Sequence, residues 1–176
     1  MRSNRGGEYT SNIFSKFCQN NGIIHEVTAP YSPQSNGIAE RKNRVFIDMV
    51  NSLLQNSGLP NYMWGDALNT ACHILNKVPL KHKDNSPEEL WRGRKSSFKY
   101  LKVWGCLAKV LVPEHKRKKL DPKTVDAVFI GYAANSYAFR FLVVKSKISG
   151  IVVNSIVEFH DATFFESVFL MKTGVP

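Results

Sequence analysis

A change in hydrophobic pattern near residue 100 constrains the fold of this 176-residue chain more than any other feature. Before it, apolar residues recur every three to four positions, as they do on one face of an amphipathic helix. After it, Val, Ile, Phe and Tyr are concentrated in short runs separated by turn residues, which is typical of β-strands. The sequence therefore predicts a largely helical first part and a small β-rich module after residue 100.

Helical spacing predicts helices over residues 10–20, 38–55 and 62–75. The longest has apolar residues at positions 38, 45, 46, 49, 50, 53 and 54, which form one stripe. In the third helix, the residues predicted to face inward are Trp64, Ala67, Leu68, Ala71 and Leu75. A short fourth helix is predicted to begin at residues 86–89, because Ser is a favourable N-cap and Pro suits the first helical position.

Five segments are predicted to be strands. One is short and lies early in the chain, and four form the β-rich module: residues 23–27, 103–112, 127–132, 138–144 and 151–159. Residues 29–37 are a loop by composition. Residues 115–119 form a basic turn, for which a solvated run of charge is the simpler interpretation.

The charge of the chain is strongly basic and uneven. The chain carries 24 Lys and Arg against 14 Asp and Glu, for a net charge of +10 and a pI near 9.6. Residues 61–124 hold 14 of these bases and only 6 of the acids. A polyanion is therefore the first partner to consider, although a basic but inert surface would give the same composition.

The cysteines and the amino terminus indicate a reduced protein that is not secreted. Cys18, Cys72 and Cys106 are odd in number and scattered, unlike a disulfide framework. No apolar signal region follows Met1, and the longest apolar run is too short to span a bilayer. The expected compartment is nuclear or cytoplasmic, without a membrane partner.

One carboxylate stands out as a candidate site residue. Glu40 follows the polar loop 33–37 and lies two positions after Ile38, so it points away from the apolar stripe. Strand-transferring nucleases hold two divalent cations with carboxylates, and Mg²⁺ and Mn²⁺ prefer such oxygen ligands. The alternative is a solvated helix residue paired with Arg44, four positions on.

Two long motifs then establish a resemblance. Residues 2–9 (Arg-Ser-Asn-Arg-Gly-Gly-Glu-Tyr) and 30–44 (Pro-Tyr-Ser-Pro-Gln-Ser-Asn-Gly-Ile-Ala-Glu-Arg-Lys-Asn-Arg) resemble the integrase core of copia-type LTR retrotransposons. The resemblance implies an RNase H-like α/β fold with a D,D-35-E metal site. Asn4 and Glu40 stand at the second and third acidic positions of that site, with 35 residues between them.

The resemblance continues along nearly the whole chain. Residues 101–106, 119–123 and 129–132 resemble the SH3-like β-barrel that follows the core in this family. The expected organisation is a partial integrase core with its helices over residues 1–95, an SH3-like domain over 100–163 and a tail over 164–176.

The resemblance also implies a set of site residues. Glu40 would remain as a Mg²⁺ or Mn²⁺ ligand, whereas Asn4 replaces the family's Asp with a neutral amide, so stable metal binding is not expected. The residues that would lie beside DNA, with weak and salt-dependent affinity, are Tyr31, Gln34, Asn36, Lys42 and Arg44.

The first metal-binding Asp and the opening strands of the family fold correspond to positions before Met1. We therefore expect a catalytically inactive integrase fragment, with self-association through exposed apolar surface. Two alternatives stay open. One is a non-enzymatic nucleic-acid- or protein-binding module, and the other is an active integrase completed by upstream sequence or by a partner chain.

Overall fold

The computed structural model describes residues 1–3, 6–29, 37–79, 81, 83–116, 118–148 and 150–172. Contacts between residues divide the chain into two compact units, Met1–Val45 and Phe46–Pro176. The predicted domain bounds near residues 95 and 163 stay predictions.

The first unit contains a small βαβ arrangement. Strand β1 (Arg2–Ser3) pairs in parallel with β2 (Glu26–Val27), and helix α1 (Asn12–Asn20) connects them. The Ser11 hydroxyl caps α1 by accepting a hydrogen bond from the Phe14 amide at 3.2 Å. The strand predicted over residues 23–27 is shorter than expected, because only its last two residues pair with β1.

Helix α2 (Gly37–Ser57) contributes residues to both units. Its predicted stripe is buried only at its carboxyl-terminal end, where Leu54 is 9% exposed. At the amino-terminal end Ile38 is 91% exposed, so periodicity located the apolar face correctly but did not determine which part of it is covered.

The second unit continues with two more helices. A 3₁₀ turn (Asn61–Met63) leads into α3 (Trp64–Lys77), and α4 (Pro87–Arg92) follows. The prediction that Trp64 faces inward was wrong: its side chain is exposed, since the helix begins at Trp64 and buries Ala67, Thr70 and Ala71 instead. The predicted cap of α4 is confirmed, with Ser86 and Glu89 forming a reciprocal capping box.

Five antiparallel strands complete the second unit. They are β3 (Leu107–Leu111), β4 (Thr124–Tyr132), β5 (Phe139–Lys145), β6 (Ile156–Phe159) and β7 (Ala162–Phe165), in the order β6-β5-β4-β3-β7. Strands β6 and β7 occupy opposite edges, yet only residues 160 and 161 separate them. So short a connection spans roughly 10 Å, so the sheet must curl until its edges approach each other. The predicted small β-barrel is therefore confirmed.

At the central strand β4, both faces of the curled sheet are buried. Along β4, Val125, Ala127 and Phe129 enter a core inside the barrel, while Val128 and Ile130 face a second core. The second core also contains Leu54 of α2 and Ala67 of α3, so the helices cover the outer face. This double burial explains the nearly continuous apolar run of β4, since neither face contacts water.

Three strands of the barrel begin three or more residues away from their predicted starts, and one strand was missed. Strand β4 begins at Thr124, three residues before its predicted start. The chain is turned at Gly105, whose φ is +82°, so β3 begins at Leu107 and not at residue 103. A second turn at Asn154, with φ +65°, delays β6 until Ile156. Strand β7 was missed because its run, Ala-Thr-Phe-Phe, was assigned partly to the tail.

Candidate nucleic-acid interface

The predicted site residues of α2 lie on its exposed amino-terminal end. Glu40 is in the first turn, where a negative charge interacts favourably with the helix dipole. Glu40, Lys42 and Arg44 are all exposed. Among the described residues, no ion pair joins Glu40 to Arg44. The structure therefore does not support the alternative interpretation, in which Glu40 is a solvated helix residue paired with Arg44.

Four other predicted site residues, Asn4, Tyr31, Gln34 and Asn36, lie outside the described residues. Within the described part of the chain, no three His, Cys, Asp or Glu side chains come close enough to hold a metal ion together. The metal ligands that the structure describes at the exposed end of α2 therefore do not fit a site for two cations. Such a site needs several carboxylates, and Glu40 is a single one.

A cleft in the second unit was not found from the sequence. It has a volume of about 470 Å³ and lies between α3, α4 and the loop that joins β4 to β5. Its basic lining residues are Lys77, Arg92, Arg94 and Lys95, against a single acid, Glu88. The surplus of bases among residues 61–124 was visible in the sequence, but only the fold brings these four together.

The single acid of the cleft is neutralised by its neighbours. Glu88 accepts a hydrogen bond from Lys77 at 2.6 Å, and Arg92 lies 3.3 Å from its other carboxylate oxygen. The hydrogen bond from Lys77 is the main reason that the pKa of Glu88 is lowered, although partial burial opposes it. Glu88 therefore stays ionised and offsets only part of the positive charge.

Residues 94–97 are fixed against α4. Gly93 ends that helix in the left-handed conformation, with φ 65°, and turns the chain back along the cleft. Glu89 then accepts a hydrogen bond from the Ser96 amide at 3.0 Å, and the Ser96 hydroxyl donates to Glu88 at 3.2 Å. These bonds position Arg94 and Lys95 on the wall of the cleft, where neither makes an ion pair within the described residues.

Aromatic rings also line the cleft. His73 of α3 stacks on Tyr132 of β4 with ring centroids 4.0 Å apart, and Tyr100 lies 6.3 Å from Tyr137. Burial, followed by the charge of Lys77, lowers the pKa of His73, so its ring is neutral at pH 7. Its Nε2 is buried and meets no hydrogen-bonding partner in the part of the chain that is described.

The basic turn predicted at residues 115–119 is only partly described. A 3₁₀ turn covers Glu114–Lys116, and Arg117 lies outside the described residues. The Lys118 amide donates to the Asp121 carboxylate at 2.9 Å, which fixes the end of the turn.

Comparison with known proteins supports the architecture. Residues 106–174 match the family of the retroviral polymerase SH3-like domain. The Pol polyprotein of tobacco transposon TNT 1-94 is 43% identical over 143 residues, covering 80% of this chain and 11% of the polyprotein. That of Arabidopsis thaliana transposon RE1 is 30% identical over 141 residues, covering 80% of this chain and 10% of the polyprotein.

A solved structure is also similar. A simian T-cell lymphotropic virus intasome in complex with PP2A regulatory subunit B56 gamma has a TM-score of 0.47 and 18% identity, covering 84% of this chain and 55% of that chain. Among the described residues, no helix combines the length and apolar character needed to cross a membrane.

The βαβ unit, the helices and the curled sheet define an α/β protein with a retroviral polymerase SH3-like domain. The chain is a homologue of retrovirus-related Pol polyproteins from copia-type transposons, so the resemblance predicted from its sequence is confirmed. It spans about a tenth of the length of these relatives.

Proposed function

We propose that this chain is an integrase-derived segment that binds DNA and does not catalyse strand transfer by itself. The observation that carries the proposal is Asn4, which stands where the resembling family has a metal-binding Asp, at the family spacing from Glu40. An amide offers one neutral carbonyl oxygen, whereas two divalent cations that activate opposite oxygens of a phosphodiester need bridging anionic ligands.

The DNA-binding part of the proposal is supported by charge and exposure. Lys42 and Arg44 lie on the exposed end of α2, directly after the polar loop of the family motif. Basic side chains in this setting would neutralise phosphates without reading sequence, so the affinity would be modest and sensitive to salt. Contacts from Tyr31, Gln34 and Asn36 would come from the same loop.

The test combines binding and chemistry on one preparation. Labelled duplex DNA is titrated with the full chain, and strand transfer is then assayed with Mn²⁺. We expect binding without transfer products, both from the unmodified chain and from Glu40→Gln. Transfer by the unmodified chain that Glu40→Gln abolishes would contradict the inactive assignment. Failure of the unmodified chain to bind the duplex would contradict the DNA-binding assignment.

Asn4→Asp is the informative third variant. It restores a charged ligand at one position, so an increase in Mn²⁺ affinity over the unmodified chain is expected. An unchanged affinity would show that Asn4 and Glu40 do not face a common site, and the argument from Asn4 would then fail.

A further inference from the structure

The cleft of the second unit combines features that α2 lacks. It is concave, it has four bases against one acid among its lining residues, and tyrosine rings line it as well. A volume of about 470 Å³ lies within the range of small-ligand sites and cannot admit the width of a duplex. An occupant must therefore be narrow, anionic and able to pack against an aromatic face.

Arg94 and Lys95 are suited to phosphate. Their backbone segment is held by the Ser96 hydrogen bonds to Glu88 and Glu89, so little ordering of the backbone is needed on binding. Lys77 and Arg92 are already paired with Glu88, whereas Arg94 and Lys95 make no ion pair within the described residues. Lys95 acts on the nearby Glu89 only through its charge, so both side chains keep their hydrogen-bond donors for a ligand.

Tyr137 is suited to stacking. Its side chain is 71% exposed in the loop between β4 and β5, with Tyr100 beside it. The neighbouring lining residues are small, namely Ala133, Ala134 and Ala138, so a planar ring has room to approach. Tyr137 thus lines the same cleft as Arg94 and Lys95, and the combination of an exposed ring with cations holds single strands without regard to sequence.

We propose that the cleft formed by α3, α4 and the β4–β5 loop binds single-stranded nucleic acid, with Arg94 and Lys95 on the phosphates and Tyr137 stacked on a base. This goes beyond the duplex contacts proposed for α2, and it uses none of the same residues, so either proposal can fail without the other.

The test is fluorescence anisotropy with the full chain and labelled oligo(dT), oligo(U) and a duplex of equal length. Tyr137→Leu is expected to weaken oligo(dT) binding about tenfold, as loss of one stacked base does, and to leave duplex binding unchanged. Tyr137→Phe keeps the ring and should bind within about twofold of the unmodified chain, because stacking does not use the hydroxyl. Unchanged binding by Tyr137→Leu would overturn the proposal.

Two further arms separate the ligand classes. Arg94→Ala with Lys95→Ala should weaken both oligonucleotides, whereas Lys118→Ala with Lys119→Ala removes the same charge outside the cleft and should not. Equal loss from both pairs would mean that the attraction is general, and it would overturn the assignment to the cleft. Competition by a poly-glutamate peptide as effective as that by oligo(dT) would indicate an acidic-peptide site and overturn the assignment. A similar affinity for oligo(U) would extend the site to RNA.

Discussion

The Nζ of Lys77 lies 2.6 Å from Oε2 of Glu88, which joins the last turn of α3 to the first turn of α4. Both side chains are largely shielded from water, with 11% and 18% exposed. An ion pair in this setting stabilises the structure only while both partners are charged, because either charge left alone would be poorly solvated.

Because of the Lys77–Glu88 ion pair, we expect the free energy of unfolding to decrease at acidic pH. The pKa of Glu88 is lowered in the folded chain, mainly by the hydrogen bond from Lys77. A lowered folded pKa contributes stability that is complete above the ordinary value of the unfolded carboxyl. That contribution is lost as pH falls through the folded value. Urea unfolding at a series of pH values should show this loss for the unmodified chain and a smaller one for Glu88→Gln.

At neutral pH, Glu88→Gln should lower the free energy of unfolding by about 2 to 3 kcal/mol, because it leaves Lys77 without its charged partner. Asp84→Asn, an exposed neighbour, should change it by less than about 0.5 kcal/mol. Adding Lys77→Met to Glu88→Gln should recover part of the loss. Equal effects of the Glu88 and Asp84 variants would show that the pair contributes nothing.

We expect a substitution at Gly105 to lower the stability of the fold strongly, because of the backbone at this position. Its φ is +82°, and a Cβ built on it would lie 2.2 Å from Cβ of the fully buried Ser57. Gly105→Ala should therefore cost about 3 kcal/mol or more, from the clash and the left-handed backbone together. Gly65→Ala is the matched control, since nothing lies within 4 Å of its Cβ position, and it should be neutral or stabilising. Thermal unfolding of both variants compares them directly.

The cysteines should differ in reactivity. Burial raises the pKa of the Cys106 thiol to about 11, with a further contribution from Glu166, so it remains protonated at pH 8. Cys72 is only half-buried. Alkylation by iodoacetamide, followed by peptide mass spectrometry, should modify Cys72 well before Cys106. Cys106 should react readily only in concentrated guanidinium. Fast alkylation of Cys106 in the folded chain would contradict its burial.

Salt dependence tests the contribution of α2 to duplex binding. Removing Lys42 and Arg44 together should reduce the slope of log affinity against log salt by about 2, one for each lost phosphate contact. Lys16→Ala removes an exposed base from α1 of the same unit and should leave the slope unchanged. The same slope for the unmodified chain and both variants would show that α2 does not contact the duplex.

The rates of amide hydrogen exchange should differ between the two units. Strand β4 is central and buried on both faces, so its amides should exchange most slowly. The two-residue pair β1–β2 should exchange much faster, and proteases should cut the first unit before the second. Equal protection of the two sheets, or a surviving fragment from the first unit alone, would contradict this order.

Much of the architecture could be predicted from local pattern. Periodicity located α1, α2 and α3, and the Ser-Pro-Glu-Glu sequence located the cap of α4, because these signals depend on neighbouring residues. Four of the five barrel strands were found in the same way. Strand β7 was missed because it is short and is stabilised by pairing with the distant β3.

The two candidate interfaces also differ in whether the sequence alone could predict them. The sequence by itself determined the Asn4–Glu40 spacing and the position of Lys42 and Arg44, since these residues lie within two motifs whose separation can be read directly along the chain. Only the tertiary structure decided that Arg94 and Lys95 would line the same cleft as Tyr137, more than 40 positions away. That arrangement follows from packing α3 on β4 and fixing residues 94–97 by hydrogen bonds, and no local pattern encodes which surfaces long-range packing brings together.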